Sequence, residues 1–365
     1  MAKEYLNMPS DETELAGCIA DATGPLAIHG GGTRGITVDG TPLSTSKLQG
    51  ITLYEPGAMT VVAQAGTPLS EIETALVAEN QRLAFEPMDH RGLLGTQGEP
   101  TIGGVMAANV SGPRRISVGA ARDFLLGVRY VDGMGRIVKN GGRVMKNVTG
   151  YDLVKLMAGA HGTLGVLSEV SLKVLPCPET QATLVLHGLD DVAAIQALSK
   201  ALGSPFEVSA AAHDPAQKQT SLRLEGFEAS VKYRIQSLQD LLGGETSIEQ
   251  DSAARWVTWR DVQDFADVGE DVWRVSCKPS VAPALVAKSG ATGARYDWAG
   301  GLIWLRVSAG HDLRTALGSY DGHATLVRGT GQPKFEPEAA GVARISAGIR
   351  GRFDPRGVLN AGLMG

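Results

Sequence analysis

The amino-acid sequence predicts an α+β protein made of two domains. The chain has 365 residues, more than the roughly 250–300 at which one hydrophobic core usually divides. Pro176 and Pro178 follow an alternating strand over residues 166–174, and glycine pairs become much rarer after them. Short strands and turns precede this point, whereas strands alternate with helices after it. We therefore place the domain boundary near residue 178.

Short strands and turns are expected in the first domain. Alternation of apolar and polar side chains predicts strands over residues 25–28 and 61–65, and Asp132-Gly133 predicts a hairpin that joins residues 127–131 to 136–139. Helices are expected to be few. One is predicted after Thr67, because Thr67 can cap it, Pro68 suits its first position, and helical spacing continues to Asn80.

A sheet covered by helices on one face is expected in the second domain. Its elements follow the order strand, helix, strand, strand, helix, strand. They are predicted over residues 183–186, 191–202, 206–210, 221–224, 230–242 and 272–276. Strands over residues 301–307 and 323–327 would extend the sheet, and a helix over residues 338–350 would follow.

The composition excludes several classes of protein. The net charge is -5 and the sequence has no run of basic residues that would form a stripe, so nucleic acid is not expected as a partner. No stretch approaches 18 apolar residues, so we expect a cytoplasmic protein, at most peripheral to a membrane. Cys18, Cys177 and Cys277 are too far apart for a local redox pair and too few for a typical iron–sulfur cluster. Electrons that leave this chain would need another carrier.

A glycine-rich loop is the first chemical signal, in a chain whose 47 glycines are nearly double the usual share. Residues 29–35, His-Gly-Gly-Gly-Thr-Arg-Gly, fit the pattern GxGxxG, but the residues from Ile36 to Pro42 are β-branched or break helices. The dinucleotide fingerprint needs a helix that begins in the loop, so classical NAD binding is not expected. Successive amide groups can still form a nest for phosphate. The alternative for this loop alone is a plain glycine-rich turn.

Two further segments are built from small residues. The first is residues 101–112, in which Asn109 can bond through both sides of its amide. The second begins at Asn147-Val148-Thr149-Gly150 and continues to residues 159–166, just before the predicted strand. Small side chains allow a backbone to lie against a flat or charged ligand. Each segment alone is a weak signal, and the three in this order are specific.

In this order and spacing the three segments resemble the FAD-binding domain of the vanillyl-alcohol oxidase and p-cresol methylhydroxylase (PCMH) superfamily. The resemblance implies a PCMH-type FAD-binding domain over residues 1–178, an α+β cap domain over 179–335, and a C-terminal segment over 336–365 that returns to the FAD domain. It implies FAD contacts from the loop to the pyrophosphate, from residues 101–112 to the flavin, and from residues 162–166 to the adenosine and ribityl part. The implied cofactor-binding residues are His29, Gly30, Gly31, Gly32, Thr33, Arg34, Gly35, Pro87, Thr101, Ile102, Gly103, Gly104, Ala107, Ala108, Asn109, Gly112, Gly162, Thr163, Gly165, Val166 and Asn360.

Noncovalent binding of FAD is expected. Some members of the superfamily attach FAD through a histidine in the phosphate loop or a cysteine in the second segment, where this chain has Thr33 and residues 107–109, Ala-Ala-Asn. His29 and His161 lie beside the glycines. We interpret both as packed, hydrogen-bonded or capping residues rather than as flavin linkers.

No metal site is expected in the cap domain. Larger hydroxy-acid-oxidising relatives carry a histidine-rich, metal-binding Gly-Asp-Gly-Asn motif there, and residues 323–329 lack its carboxylate and its second histidine. The catalytic residues are therefore unknown. His323 could accept a hydroxyl proton and Arg328 could pair with a substrate carboxylate, but a structural role is the favoured interpretation of both.

In length and detail the chain is most similar to the FAD-binding subunits of glycolate oxidase. This implies a small 2-hydroxy acid as substrate, a larger FAD subunit (GlcD) and an iron–sulfur subunit (GlcF) as partners, and a place at the inner face of the membrane through them. The Trp and Arg residues of 255–260 suggest a partner-binding surface. Because the metal motif is missing, this flavin is expected to relay electrons or to stabilise the assembly. Two alternatives are a self-sufficient FAD-dependent alcohol or sugar-acid oxidase and a cofactor-free interaction subunit.

Overall fold

The computed structural model describes residues 7–144, 150–266 and 269–364. The strands are β1 (Leu26–His29), β2 (Thr41–Ser44), β3 (Ile51–Glu55), β4 (Thr60–Gln64), β5 (Gln81–Arg82), β6 (Leu125–Val131), β7 (Ile137–Gly141), β8 (Val166–Lys173), β9 (Leu175–Pro176), β10 (Thr180–His187), β11 (Ala210–Asp214), β12 (Gln219–Gly226), β13 (Thr246–Gln250), β14 (Asp271–Cys277), β15 (Gly293–Asp297), β16 (Leu302–Val307) and β17 (Gly322–Arg328). The helices are α1 (Glu12–Ala20), α2 (Leu69–Ala78), α3 (Arg91–Leu94), α4 (Ile102–Ala107), α5 (Arg115–Val118), α6 (Ala121–Phe124), α7 (Leu153–Met157), α8 (Asp191–Leu202), α9 (Glu228–Leu242), α10 (Ala253–Arg260), α11 (Ala282–Lys288), α12 (Leu313–Leu317) and α13 (Ala340–Phe353).

The first sheet has five antiparallel strands in the order β3-β4-β8-β6-β7. Val170 on the central strand β8 pairs with Ala63 on one side and with Val128 on the other, and all three are buried. Ile72 on α2 and Met106 on α4 complete this core. β1 and β2 form a separate parallel pair, so the glycine loop leaves from the end of β1.

The second sheet has eight antiparallel strands in the order β13-β10-β12-β11-β15-β16-β14-β17. Successive side chains of a strand point to opposite faces. On β14, Trp273 and Val275 pack into the core formed with α8, α9, α11 and α12, whereas Arg274 lies on the opposite face. This second face carries Arg223 of β12, which pairs with Glu86 of the first domain. The polar face of the sheet is therefore turned toward the first domain.

Buried ion pairs join the two domains. Glu225 on β12 accepts hydrogen bonds from Nε and Nη2 of Arg114, both at 2.8 Å, and from Arg82 at 2.6 Å. Glu86 accepts two hydrogen bonds of 2.8 Å from Arg223 and lies 3.0 Å from Arg114. The three arginines and two glutamates of this set, which we call the junction network, fix the cap sheet against residues 82–114.

The α+β class is confirmed, and several elements agree closely with the prediction. The helix predicted over residues 191–202 is α8 with the same bounds, and the predicted strands over 301–307 and 323–327 join the second sheet as β16 and β17. The predicted hairpin joins β6 to β7. Its positive φ falls on Gly135 (76°), because Asp132 accepts hydrogen bonds from the amides of Met134 and Arg136 and thereby lengthens the turn.

Two local predictions are wrong. The strand predicted over residues 206–210 begins only at Ala210, because Glu207 takes a φ of 46°, which an extended strand does not allow. Pro68, not Thr67, is the N-cap residue of α2. The hydroxyl of Thr67 instead donates to the carbonyl oxygens of Gln64 and Gly50.

Helices are more numerous than predicted. The first domain contains α1 and several helices of four to six residues besides α2, and their short length gives little periodic signal. In the cap, β13, α10, α11 and β15 were not predicted. Trp256 of α10 packs against Ala210 and Ala212 on the polar face, so the expectation that all helices cover one face is also wrong.

Candidate functional site

An open cleft lies where the glycine loop, α4, the turn before β8 and the C-terminal segment meet. Its space, including the mouth, is about 970 Å³. Of the predicted cofactor-binding residues, the following line it: His29, Gly30, Gly31, Gly32, Thr33, Arg34, Thr101, Gly103, Gly104, Ala107, Ala108, Gly162, Gly165, Val166 and Asn360. All three predicted segments thus contribute to one cavity. Their assignment as FAD contacts stays a prediction.

The other predicted residues lie outside the cleft lining. They are Gly35, Pro87, Ile102, Asn109, Gly112 and Thr163. Ile102 is part of the core, and the side chain of Asn109 accepts a hydrogen bond from the amide of Arg122. The hydroxyl of Thr163 donates to the carbonyl oxygen of Ala160. Asn147, Val148 and Thr149 lie outside the described residues.

Glycines in the loop allow its backbone to lie directly on residues 99–101. A Cβ added at Gly31 would lie 1.6 Å from the carbonyl oxygen of Glu99, and one at Gly30 would lie 2.3 Å from Oγ1 of Thr101. Gly32 has a φ of 71°, which glycine adopts at little cost. One side of the loop therefore packs on residues 99–101, and the other side presents its main chain to the cleft.

Helix α4 presents a small-residue surface to the same cleft. The hydroxyl oxygen of Thr101 accepts a hydrogen bond of 3.3 Å from the amide of Gly104 and caps the helix. A Cβ added at Gly103 would lie 2.6 Å from Cβ of Ala65, so the helix packs closely on the first sheet. A flat ligand can therefore approach the helix without meeting long side chains.

Asn360 ties the C-terminal segment to the cleft. Its Oδ1 accepts a hydrogen bond of 2.7 Å from the amide of Ile28, and its Nδ2 donates to the carbonyl oxygen of His161 at 2.9 Å. Leu359 also forms an isolated bridge with Leu26. One side chain thus holds together β1, the turn at residues 161–163, and the chain terminus.

The guanidinium of Arg34 gives the cleft its electrostatic character. Burial lowers the pKa of Arg34 to about 10, and no carboxylate lies within ion-pair distance of its guanidinium in the part of the chain that the structure describes. Its Nε also has no hydrogen-bond partner there, while Nη1 lies 3.5 Å from Nδ1 of His161. Burial and the charge of Arg34 lower the pKa of His161 to about 3, so this imidazole is neutral at pH 7. A diphosphate would supply both the counter-charge and the hydrogen-bond acceptors that this buried arginine lacks.

His90 is a lining residue that the sequence analysis did not identify. Its side chain is buried, and burial together with the charges of Arg34 and Arg274 lowers its pKa to about 3. Met88, Val110, His161 and Leu363 also line the cleft without having been predicted as FAD contacts. Val110 and His161 lie inside the small-residue segments as larger side chains. Met88 and Leu363 lie outside the three segments, so only the fold brings them here.

The two catalytic candidates lie on β17 at the edge of the second sheet. Arg328 donates through Nε to the carbonyl oxygen of Glu270 and through Nη1 to that of Leu93, at 3.1 and 2.8 Å. These bonds agree with a structural role. His323 is exposed at the other end of the strand, opposite Ser276. No group of three or more His, Cys, Asp or Glu side chains suited to a metal ion occurs among residues 7–144, 150–266 and 269–364.

Comparisons with known proteins agree with this geometry. Residues 4–141 match the family model described as an FAD binding domain. The chain is 36% identical over 356 residues to glycolate oxidase subunit GlcE of Escherichia coli (strain K12), covering 95% of this chain and 94% of that protein. The chain belongs to the GlcE family. FAD is therefore its cofactor, and the cleft fits it, with a glycine cradle and with Arg34, which forms no ion pair within the described residues.

The chain also matches shorter stretches of other relatives. The chain is 42% identical over 85 residues to glycolate oxidase subunit GlcD of Bacillus subtilis (strain 168), covering 23% of this chain and 18% of that protein. It is 35% identical over 149 residues to a D-lactate dehydrogenase of Anaerostipes hadrus, covering 40% and 29% of the two chains. These matches place the GlcE family among FAD-dependent oxidoreductases.

A solved structure confirms the fold over both domains. An alkyldihydroxyacetonephosphate synthase superposes with a TM-score of 0.72 at 16% identity, over 97% of this chain and 75% of that one. The PCMH-type FAD-binding fold with an α+β cap is thus the fold of this GlcE-family chain. No helix in the described part is long and apolar enough to cross a membrane.

Proposed function

We propose that this chain is the FAD-binding subunit of a glycolate-oxidising complex and that its flavin lies on the path of electrons to an iron–sulfur partner. The observation that carries the proposal is the 36% identity with GlcE over nearly the full length of both chains, and the cleft lined by all three predicted segments supports it. The partners would be a GlcD-type and a GlcF-type subunit, which would also bring the chain to the inner face of the membrane. Cys18, Cys177 and Cys277 are dispersed in sequence, so another chain would supply the cluster.

The residues of this chain would bind and orient the cofactor. The main-chain amides of residues 30–33 and the guanidinium of Arg34 would hold the diphosphate, because buried donors without partners gain most from an anion. The small residues of α4 would lie along the ring system. When bound, FAD would supply the redox chemistry, because a flavin can exchange electrons with an organic substrate or with another carrier. The cap sheet would exclude water from the opening between the two domains.

Reconstitution with one flavin site disabled tests this proposal. The chain would be purified with GlcD- and GlcF-type partners, and Gly31→Ala would be introduced to displace the loop that cradles the diphosphate. We expect the complex to assemble with less flavin and to reduce an artificial dye with glycolate at least about tenfold more slowly. Full activity of a complex whose GlcE-family chain holds no flavin would refute the proposal. Turnover by the isolated chain at the rate of the complex would also refute it and favour a self-sufficient oxidase.

A further inference from the structure

Arg274 is exceptional among the arginines on the polar face of the cap sheet. Arg223 pairs with Glu86, Arg295 with Asp214 and Asp264, and Arg306 with Glu270. Arg274 lies on the same face, between Trp304 of β16 and Thr325 of β17. Within the described ranges, no carboxylate lies within 4.0 Å of its guanidinium, the distance limit for an ion pair. Burial and the charges of Arg115 and Arg34 lower its pKa to about 10, so it stays cationic.

A second arginine, Arg115 of the first domain, contacts the same indole as Arg274. Cζ of Arg115 lies 4.7 Å from the ring centroid of Trp298, and Cζ of Arg274 lies 5.0 Å from the same ring system. The structure shows no ion pair for Arg115 with any described acid. Two guanidinium groups therefore share one indole at the domain junction. Cation–π contact stabilises each of them without neutralising its charge.

The backbone at Trp298 is strained, and its side chain is held by a hydrogen bond. Trp298 and Ala299 both have positive φ values, 50° and 55°, which cost about 1–3 kcal/mol each in non-glycine residues. The indole Nε1 donates to the carbonyl oxygen of Gly112 at 3.0 Å, so the ring bridges the two domains. Strain of this kind is kept where the surrounding structure over-determines it, often at ligand sites.

Asp297, the acid whose charge acts on Arg274, gives little counter-charge. Asp297 is buried beside Arg274, and burial raises its pKa to about 7, so it is only partly ionised at neutral pH. The neighbouring histidines add no counter-charge. His323 is exposed to solvent on one side, and its pKa is lowered by partial burial and by the charges of Arg274 and Arg115. Trp298 connects this region to the FAD cleft, since it packs in one apolar cluster with Met88 and Val110, which line the cleft. The charge of Arg274 also acts on His90, another lining residue.

We propose that Arg115 and Arg274, both packed on Trp298, form a binding site for the carboxylate group of a small organic acid at the cap end of the FAD cleft. Each guanidinium offers several donors in a planar fork, which matches the two oxygens of a carboxylate. An anion placed there would offset two positive charges that repel each other in a poorly solvated position. The assignment of the acid as a 2-hydroxy acid rests on the proposed function, whereas the carboxylate site itself does not.

Binding of a non-oxidisable acid tests the site without turnover. The FAD-loaded full chain would be titrated with oxalate at low ionic strength, and binding would be followed by the visible spectrum of the flavin and by tryptophan fluorescence. Arg274→Met and Arg115→Met should each weaken binding by about tenfold to a hundredfold, since a charged hydrogen bond contributes about 1.5–3 kcal/mol. Arg274→Lys should give an intermediate affinity, because it keeps the charge but loses the fork. Arg344→Met, on the exposed face of α13, is the matched control and should bind oxalate like the wild type.

Three results would overturn the inference. The first is an FAD-replete wild-type chain that binds no oxalate in the millimolar range. The second is an equal oxalate affinity for Arg115→Met and Arg344→Met when both variants have full FAD content. Arg115 is used for this comparison because its side chain is more accessible than that of Arg274, so its replacement disturbs the fold less. The third is an Arg274→Met variant with a shifted flavin midpoint potential and an unchanged oxalate affinity, which would make the cations partners of the flavin alone. Loss of activity in the complex with normal oxalate binding would instead count against the proposed function and leave the site supported.

Discussion

Replacement of Glu225 by glutamine should destabilise the protein strongly. The carboxylate of Glu225 is buried and accepts hydrogen bonds from Arg114 and Arg82, and it lies 3.8 Å from Nε of Arg223. Glu225→Gln keeps the shape but removes the negative charge, which leaves Glu86 as the one remaining glutamate of the junction network for its three arginines. Arg114 and Arg223 are 6% and 1% exposed, so water cannot replace the lost partner.

We expect a loss of about 3–5 kcal/mol in the free energy of unfolding, the range for removal of one partner of a buried ion pair. Urea unfolding at pH 7 with saturating FAD would measure it, because bound cofactor contributes to apparent stability and has to be held constant. Glu99→Gln is the matched control. Glu99 is 57% exposed where it pairs with Arg91, so its replacement should cost less than about 1 kcal/mol.

The pH dependence of this difference provides an independent check. Burial opposes ionisation of Glu225, but its hydrogen bond from Arg114 and the charges of Arg223, Arg114 and Arg82 outweigh burial and lower its pKa well below the usual value. A carboxylate whose pKa is lowered by folding stabilises the protein above its unfolded pKa of about 4.3, and this contribution is lost as the pH falls toward the folded value. The gap between wild type and Glu225→Gln should therefore be constant from about pH 6 to pH 8 and should shrink below about pH 4. A gap of less than about 1 kcal/mol at pH 7 would show that the junction network does not hold the domains together.

Three further predictions concern the cleft and the junction. Gly31→Ala should weaken FAD binding at least about tenfold in a flavin-fluorescence titration, because the added Cβ would meet the carbonyl oxygen of Glu99. The control is Gly57→Ala, whose added Cβ would have no atom within 4 Å, and this variant should bind FAD normally. Asn360→Ala should lower the free energy of unfolding by about 1–3 kcal/mol, because it leaves the buried amide of Ile28 without its acceptor, and an unchanged urea midpoint would contradict this. Asp297 has a pKa raised to about 7 by burial, so its contribution to stability is present at low pH and is lost as the pH rises from about 4 to about 7. Asp297→Asn should therefore gain stability relative to wild type between pH 5 and pH 8, and a pH-independent difference would refute the assignment.

Main-chain features of the site could be predicted from the sequence because they depend on short-range rules. A loop in which Gly31 touches the carbonyl of Glu99 admits only glycine, and this requirement is visible in the sequence as a run of glycines. The same holds for α8, whose bounds follow from Asp190 as a capping residue and from helical spacing. Such patterns are local, so the fold adds little to them.

Side chains that meet across the domain junction could not be predicted in the same way. Trp298 donates to Gly112 from 186 residues away, and no local pattern links the two positions. Alternation along β14 does place Arg274 opposite the apolar face, but the strand order of the sheet is needed before that face can be assigned to the cleft. The sequence alone instead suggests Arg328, the last residue of β17, for which a structural role is the favoured interpretation. Its guanidinium holds the main chain of Glu270 and Leu93.

The junction network and the proposed carboxylate site are mechanically connected through residues 112–115. Gly112 accepts the hydrogen bond of Trp298, Arg114 belongs to the network, and Arg115 contacts the ring of Trp298. The network has three cations and two anions buried together, so it fixes the backbone on which Arg115 is carried. The position of Arg115 relative to Arg274 thus depends on a set of ion pairs that do not touch the ligand. Glu225→Gln should consequently weaken oxalate binding as well as stability, but by less than Arg115→Met, because it loosens the support of the guanidinium without removing its charge.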